Sequence, residues 1–155
     1  MDALLDAELT ELQIKKLYQK AVQLLARREW GRKELAHRLD KYQPDVSRLI
    51  EQVLDRLTEQ GYLSELRFLT SYVNMRRQKG FGPLRIMLEL KQRGIPESQI
   101  AESVESNAQH WSELAQRLAA KKQQQAKTPI QQMRFLLSRG FSPEQARRAI
   151  LNREF

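Results

Sequence analysis

The break at residues 79–83, which reads Lys-Gly-Phe-Gly-Pro, strongly constrains how this chain can fold. Gly82 followed by Pro83 predicts a helix start, because glycine is accepted at an N-cap and proline suits the first helical position. Gly94 predicts the end of that helix, since glycine adopts the left-handed conformation of a C′ position without penalty. Residues 61–95 are therefore expected to form two helices joined by a tight turn.

The same order of helices and breaks recurs along the chain, which favours a repeat architecture. A shift of 46 residues aligns similar positions: Pro83 with Pro129, Leu90 with Leu136, and Gly94 with Gly140. Glycine and proline breaks at such intervals in any helical protein are the alternative explanation. No segment alternates with a period of two, so no sheet is expected. We predict an all-α fold of three tandem three-helix repeats, stacked into an elongated, solenoid-like array that can curve.

The predicted bounds are a mobile N-terminal lead-in over residues 1–11, then repeats over residues 12–62, 63–108 and 109–155. Apolar residues begin to recur at helical spacing at Leu12, which predicts the first helix start, and Pro44 is expected to open the third helix. The side chains expected to face inward are Val46, Leu49, Ile50, Val53, Leu54 and Leu57 in the first repeat, Phe68, Leu69, Tyr72 and Val73 in the second, and Ile130, Met133 and Leu137 in the third.

The net charge of +8 is unevenly distributed. Residues 1–63 carry eleven bases and eleven acids, whereas residues 64–94 carry seven bases and two acids. Residues 95–116 carry four acids and no base, and residues 117–155 carry nine bases and two acids. Two basic blocks of this size indicate a surface for a polyanion, or for a partner that carries one. Solvated helix faces that keep the protein soluble are the alternative.

The composition argues against several classes of protein. The chain has no cysteine, which excludes disulfides and thiolate metal sites. No window approaches the roughly 18 consecutive apolar residues of a membrane helix. The N-terminus lacks the basic region and the long apolar core of a secretory signal. We expect a soluble cytoplasmic protein.

No active site is expected from the pattern of reactive residues. His37 and His110 have no carboxylates at a spacing typical of a zinc site or a nucleophilic site. Residues 80–82 read Gly-Phe-Gly but follow a helix rather than a strand, so a tight turn fits better than a nucleotide loop. Trp30 and Phe81 precede helix starts and are interpreted as packing residues rather than base-stacking platforms. Neither a cofactor nor a metal is predicted.

The middle of the chain resembles the signature of the RecX family in Gly61-Tyr62-Leu63, Arg67-Phe68, Lys79-Gly80-Phe81-Gly82-Pro83, Arg85-Ile86, Glu89-Leu90 and Gly94-Ile95. The flanks agree in Arg27-Arg28-Glu29-Trp30 with Glu34-Leu35, and in Phe135-Leu136 with Arg139-Gly140-Phe141. The resemblance covers roughly residues 14–152. Ser64-Glu65 departs from the pattern, since the family often has two acidic residues there, and the change is conservative for an N-cap.

The RecX family consists of regulatory proteins that restrain the bacterial RecA recombinase. The resemblance implies three tandem three-helix repeats and a monomer that binds RecA assembled on DNA, along the filament groove. It implies lowered RecA ATP hydrolysis, strand exchange and coprotease action, without any enzymatic activity of its own, in recombination, DNA repair and the SOS response. Some members also touch DNA. A general nucleic-acid-binding helical module that acts without RecA is the alternative.

Basic side chains beside aromatic residues suit contacts with phosphates or with acidic protein patches. In the middle repeat, Arg76, Arg77 and Lys79 crowd before a turn, and compensation of the helix dipole explains part of that crowding. Arg147 and Arg148 lie within a helix, where the dipole gives no such explanation. The candidate partner- or DNA-binding residues are Arg67, Arg76, Arg77, Lys79, Arg85, Arg93, Arg134, Arg139, Arg147 and Arg148.

Overall fold

The computed structural model describes residues 2–151. Met1 and residues 152–155, which the sequence prediction places in the lead-in and in the third repeat, lie outside the described range. Within it the chain forms nine α-helices and no β-strand, so the predicted all-α repeat fold is confirmed. The helices are α1 Asp2–Arg27, α2 Arg32–Tyr42, α3 Ser47–Glu59, α4 Glu65–Gln78, α5 Pro83–Gln92, α6 Glu97–Glu105, α7 Ala108–Gln124, α8 Pro129–Ser138 and α9 Pro143–Leu151. The repeat bounds stay a prediction.

Two helix starts carry reciprocal side-chain caps. Thr128 Oγ1 accepts a hydrogen bond from the Gln131 amide at 3.3 Å, and Gln131 Oε1 accepts one from the Thr128 amide at 2.9 Å. Ser142 and Gln145 exchange the same two bonds at 3.1 and 2.9 Å. Each pair satisfies two amide groups that have no partner within the helix. The starts of α8 and α9 are therefore set by these local hydrogen bonds.

Helix α1 begins at Asp2, so the predicted start at Leu12 is wrong. Its first three turns expose Leu4, Leu5 and Leu9, and the first fully buried residue is Leu17. Alanine, leucine and glutamate have high intrinsic helix propensity, which extends a helix that packing has already nucleated. Apolar periodicity detects the packed part of a helix and misses an unpacked extension of this kind.

Helix α3 begins at Ser47 rather than at Pro44. Between them, Asp45 adopts a positive φ of 66°, which no helix interior contains. Aspartate tolerates this left-handed conformation better than most residues, so Pro44-Asp45 forms a turn instead of the first helical turn. Val46 is the N-cap, and it is half-buried against the core as its apolar character predicts.

The chain divides into two compact units between Phe68 and Leu69, within α4. We call them the first unit and the second unit. In the first unit, α1, α2 and α3 bury one apolar cluster in which the predicted α3 side chains take part. Its buried members are Leu17, Ala21, Leu35, Leu39, Ile50, Val53, Leu54, Leu57 and Leu63.

In the second unit, α5–α6 and α8–α9 share one local geometry. Leu90 and Leu136 are fully buried one turn before Gly94 and Gly140, whose φ angles are +83° and +99°. The Leu90 carbonyl accepts a hydrogen bond from the Ile95 amide at 3.2 Å, and Leu136 accepts one from Phe141 at 3.1 Å. Both are helix ends closed by a left-handed glycine. The shift of 46 residues seen in the sequence thus relates equivalent structures.

The start of α5 is joined directly to the turn between α8 and α9. The Gly82 amide donates to the Arg139 carbonyl at 2.7 Å, and the Leu84 amide donates to the Gly140 carbonyl at 2.9 Å. These amides belong to the first turn of α5, where no carbonyl of the helix can reach them. The turn before α9 supplies the missing acceptors. The loop before α5 and the loop before α9 are therefore hydrogen-bonded to each other, and we call this contact the joint.

The predicted inward face of α8 is partly wrong. Ile130 and Leu137 are exposed, and the fully buried positions are Gln132 and Leu136, with Met133 half-buried. Because α8 carries apolar residues on more than one face, their spacing alone does not select the buried one. In α4, by contrast, the four predicted inward residues are all buried. Across residues 2–151, no helix combines the length and apolar composition needed to cross a bilayer.

Candidate nucleic-acid interface

Five basic side chains line one groove of the second unit, which has a volume of about 630 Å³. They come from the end of α4, from the outer face of α7 and from the end of α8. Among the described residues that line this groove there is no aspartate or glutamate. We call it the cationic groove, and its basic residues are Lys79, Arg117, Lys121, Lys122 and Arg139.

Helix α7 presents its cations by packing the opposite face. Trp111, Ala115 and Ala119 follow one another at four-residue spacing and are buried. The Trp111 indole also donates to the Val104 carbonyl at 3.0 Å, which ties the start of α7 to α6. Because residues four apart share a helix face, burying that stripe turns Arg117 and Lys121 together towards the groove.

Aromatic rings and helix ends hold the other cations in place. The Lys122 ammonium lies 4.2 Å from the centre of the Phe135 ring, and the Arg139 guanidinium lies 5.3 Å from it. Arg139 is also the C-cap of α8, and Lys79 follows the last residue of α4. The negative ends of the two helix dipoles favour a cation at both positions.

A groove with five cations and no acid in its described lining is suited to a ligand with several negative charges. Phosphate groups of a nucleic-acid backbone are such a ligand, and each contact with lysine or arginine releases a condensed counterion. Arginine can also bind two phosphate oxygens at once with its planar guanidinium. The cationic groove is therefore chemically suited to binding a polyanion.

The predicted cluster Arg76, Arg77 and Lys79 does not act as one surface. Arg76 is only 17% exposed in its side chain and pairs with Glu89 at 2.7 Å. Arg77 donates to Asn107 Oδ1 at 2.7 Å and also lies against α7. Only Lys79 of the three lines the cationic groove. Successive residues of an α-helix project about 100° apart around the helix axis. Side chains that are neighbours in sequence therefore point in different directions.

The remaining candidates of the middle repeat lie elsewhere. Arg67 belongs to the first unit, where its Nε lies 2.9 Å from Glu29 and a terminal nitrogen donates to the Gly61 carbonyl at 2.6 Å. Arg85 and Arg93 lie on α5 and at its end, on a different groove of the second unit. Arg67 is thus paired within the first unit while its side chain stays 48% exposed, and its role in binding stays a prediction.

The candidates near the end of the chain divide in the same way. Arg139 lines the cationic groove, and its role in binding stays a prediction. Arg134, Arg147 and Arg148 are exposed on α8 and α9 and are not part of its described lining. Arg148 pairs with Glu144 at 2.7 Å, one turn earlier on α9. Of the ten sequence candidates, the described lining of the cationic groove contains two, Lys79 and Arg139.

The sequence interpretation missed three residues of the groove, Arg117, Lys121 and Lys122. Residues 121–127 contain no apolar periodicity that would mark a helix, whereas α7 continues to Gln124. The signal was present in the four-residue spacing between Arg117 and Lys121, which places both on one helix face. What the spacing did not reveal is that this face lies opposite Lys79 and Arg139.

The Phe81 ring lies among three guanidinium groups rather than in a purely apolar contact. The centres of Arg76, Arg85 and Arg139 are 3.9, 4.4 and 4.8 Å from the ring centre. Glu89 accompanies them, at 2.7 Å from Arg76 and 3.5 Å from Arg85. The predicted packing role of Phe81 is therefore combined with cation–π contacts that position the basic side chains.

Glu89 is the charged counterpart of this cluster. Burial acts to raise its pKa, but hydrogen bonds from Arg76 and Tyr72 and the charge of Arg85 outweigh it, so the pKa is lowered. The Tyr72 hydroxyl donates to Glu89 Oε2 at 2.7 Å. Burial, together with that bond to a carboxylate, raises the pKa of Tyr72. Glu89 thus stays ionised and holds two arginines and a tyrosine in fixed positions.

Metal ligation has no support in the described chain. Across residues 2–151, no group of three or more histidine, cysteine, aspartate or glutamate side chains could hold an ion. His110 lies instead beside Arg77 and Asn107, at 3.0 and 3.2 Å from its Nδ1.

Comparison with known proteins gives a consistent family. The family model described as "RecX, second three-helix domain" matches residues 64–104. The chain is 43% identical over 140 residues to the Regulatory protein RecX of Pseudomonas entomophila, covering 86% of this chain and 89% of that protein. It is 39% identical over 139 residues to the Regulatory protein RecX of Pseudomonas putida, covering 86% and 88%.

Two solved structures share the fold. One, a crystal structure of regulatory protein RecX, has a TM-score of 0.81 and 22% sequence identity, covering 98% of this chain and 78% of that one. RecX from Lactobacillus salivarius has a TM-score of 0.80 and 21% identity, covering 92% and 97%. With the sequence identities above, these findings show that the chain belongs to the RecX family of regulatory proteins.

Proposed function

We propose that this protein is a non-enzymatic regulator that binds RecA filaments assembled on DNA and lowers RecA's ATP hydrolysis, strand exchange and coprotease action. It would thereby modulate homologous recombination and DNA repair in the cytoplasm. The observation that supports the proposal is the cationic groove of the second unit, found in a member of the RecX family. The family membership leads us to expect a site for an extended polyanion, and the cations of this groove suit such a ligand.

The cationic groove suits the DNA of such a filament better than a small anion. Its five basic side chains come from three helices and are spread along a volume of about 630 Å³. A backbone with regularly spaced phosphates can engage several of them at once, and each contact adds to affinity at low salt. Phe135, held between Lys122 and Arg139, provides an aromatic surface beside the cations, as in sites for single strands.

Regulation rather than catalysis agrees with the groups at the groove. Its described lining contains cations, glutamines, leucines and an aromatic ring, but no carboxylate that could act as a base or hold a metal. Glu89, whose carboxylate is already shared by Arg76, Arg85 and Tyr72, belongs to a structural cluster. We therefore expect the protein to act by occupying a filament.

A titration of RecA's ATP hydrolysis on single-stranded DNA tests the proposal. The protein is added at increasing concentrations below that of RecA, and the hydrolysis rate is followed. We expect the rate to fall progressively, because each bound regulator affects a stretch of filament. A rate that stays constant over the whole range, with RecA fully bound to DNA, would contradict the proposal.

A general nucleic-acid-binding module is the second candidate, favoured by the absence of carboxylates in the described lining of the cationic groove. It predicts binding to free single-stranded DNA with an affinity that falls steeply with salt, by about 0.7 in log–log slope per phosphate contact. Fluorescence anisotropy with labelled DNA separates the candidates. Tight DNA binding with no effect on RecA would favour this alternative, and weak DNA binding with strong RecA inhibition would exclude it.

A further inference from the structure

Three exposed leucines of the second unit line a groove that shares no described lining residue with the cationic groove. Leu84 and Leu88 lie one turn apart on α5 and are 50% and 56% exposed. Leu137 lies on α8 and is 41% exposed. All three line a single groove of about 910 Å³, which we call the apolar groove. Exposed apolar side chains that converge in one concave surface are typical of a protein-binding site.

Hydrogen bonds within the second unit support the walls of the apolar groove. The Leu84 amide bonds to the Gly140 carbonyl at 2.9 Å, which ties the start of α5 to the end of the α8 turn. Tyr72 is buried beneath, with its hydroxyl bonded to Glu89 at 2.7 Å. A preformed groove binds a partner at a lower entropic cost than one that must order on binding.

The charges at the apolar groove are predominantly positive. Its described lining contains Arg76, Arg85 and Arg93, against the single carboxylate of Glu89. Glu89 already accepts from Tyr72 and pairs with two of these arginines. The side chain of Arg85 is 46% exposed, and Arg93 lies at the exposed end of α5, where its guanidinium is 4.9 Å from the centre of the Tyr72 ring. A carboxylate that enters the groove therefore meets a net positive field.

We propose that the apolar groove docks an amphipathic segment of the filament protein, with aliphatic side chains packed on Leu84, Leu88 and Leu137 and carboxylates facing Arg85 and Arg93. This inference rests on the proposed function and deepens it by separating two surfaces. The cationic groove contacts DNA phosphates, and the apolar groove contacts protein. A helix with aliphatic residues on one face and acidic residues beside them has the required chemistry.

The leucines decide between protein and nucleic acid as the occupant. Nucleic-acid backbones give little favourable contact with exposed aliphatic side chains, whereas burying leucine beside arginine is typical of protein interfaces. The cationic groove has the opposite character, with five cations that line it. The apolar groove thus has the composition typical of a protein contact, and the cationic groove has the composition typical of a DNA contact.

A single substitution on the exposed surface tests the assignment. Leu88→Glu places a charge in the apolar groove at a position that is not part of the core, so the fold should persist. We expect the concentration for half-inhibition of RecA to rise by about tenfold or more, while binding to free single-stranded DNA is unchanged. Ile130→Glu is the matched control, because Ile130 is 67% exposed on α8 and does not line this groove.

The outcomes separate this inference from the proposed function. If Leu88→Glu inhibits RecA as well as the unchanged protein and Ile130→Glu do, the groove assignment is overturned and the proposed function stands. If Leu88→Glu weakens binding to free DNA, the groove contacts DNA and the assignment is also overturned. A molecular mass that rises with concentration, and does not rise in Leu88→Glu, would identify a second copy as the occupant and overturn it as well.

A peptide experiment tests the groove without RecA, so it remains decisive if the unchanged protein fails to inhibit. The probe is a short synthetic helical peptide with leucines on one face and glutamates beside them. We expect it to shift the methyl resonances of Leu84, Leu88 and Leu137, and we expect its glutamine counterpart to bind more weakly. No shift at these leucines, or equal binding of the two peptides, would overturn the proposal.

Discussion

Gly82 and Gly140 lie so close together that a β-carbon on Gly82 would be 2.7 Å from the Gly140 carbonyl oxygen. A β-carbon on Gly140 would in turn collide with the β-carbon of Arg85. The two glycines belong to the turns before α5 and before α9, and the hydrogen bond from Gly82 to Arg139 runs through the same contact. This joint positions Arg139, which lines the cationic groove, and Leu84, which lines the apolar groove. The geometry of both grooves therefore depends on the contact between these two turns.

We predict that Gly140→Ala destabilises the second unit by about 3–5 kcal/mol, because it combines a collision with a φ of +99° that L-residues rarely adopt. Gly80→Ala, in the same unit, is the control, since its φ is +89° but the nearest atoms to the added carbon, in the Leu118 side chain, are 3.7 Å or more away. It should cost about 1–2 kcal/mol. Urea unfolding followed by Trp111 fluorescence in a Trp30→Phe background reports on the second unit. Equal costs for the two substitutions would mean that the close approach is unimportant.

Helix ends and repeat geometry could be predicted from the sequence because they depend on local chemistry. Gly82-Pro83 and Thr128-Pro129 start helices where cap rules require, and Gly94 ends one through its left-handed conformation. The family signature was carried by the same positions. What local chemistry does not encode is the start of α1 at Asp2, since an unpacked helical extension leaves no apolar periodicity.

The cationic groove, the candidate site, was harder to predict than the fold because it is assembled from segments that are distant in sequence. Lys79 and Arg139 were identified, but the lysines and the arginine of α7 that face them were not. Arg76 and Arg77 were chosen for their adjacency to Lys79, yet they hold Glu89 and Asn107 instead. A basic residue on a helix is equally visible in sequence whether it holds a neighbour or faces solvent, and only tertiary contacts distinguish the two.

We predict that Glu89 makes the stability of the second unit depend on pH. Its pKa is lowered in the folded protein from the usual value of 4.5, so its carboxylate contributes stability above that value. This contribution is lost as the pH falls below 4.5 and through the folded pKa. Glu89→Gln should cost about 1–3 kcal/mol at pH 7, by leaving a partly buried Arg76 without its partner. The difference should shrink towards pH 3, and a constant difference would contradict the linkage.

Glu97→Gln is the control for that measurement. Glu97 pairs with Lys91 at 3.0 Å, but its side chain is 77% exposed, so solvent screens the pair. We expect a change within about 0.5 kcal/mol at either pH. A cost as large as that of Glu89→Gln would show that exposure is the wrong basis for ranking these two ion pairs.

We predict that Leu54→Ala costs the first unit about 2–5 kcal/mol, since Leu54 is fully buried among α1, α2 and α3. Leu4→Ala, on the exposed start of α1, should change the unfolding free energy by less than about 0.5 kcal/mol. Urea unfolding of both variants measures the difference. An unchanged midpoint for Leu54→Ala would mean that this face of α3 is not packed.

We propose that the cationic groove of the second unit is the surface that holds the DNA of a RecA filament. The direct measurement is inhibition of RecA's ATP hydrolysis by Lys121→Glu/Lys122→Glu, compared with Lys15→Glu/Lys16→Glu on the exposed face of α1. Both double variants remove the same charge from neighbouring helical lysines. We expect the half-inhibitory concentration to rise by about tenfold or more for the groove pair and to be unchanged for the α1 pair. Equal inhibition by the two variants would contradict it.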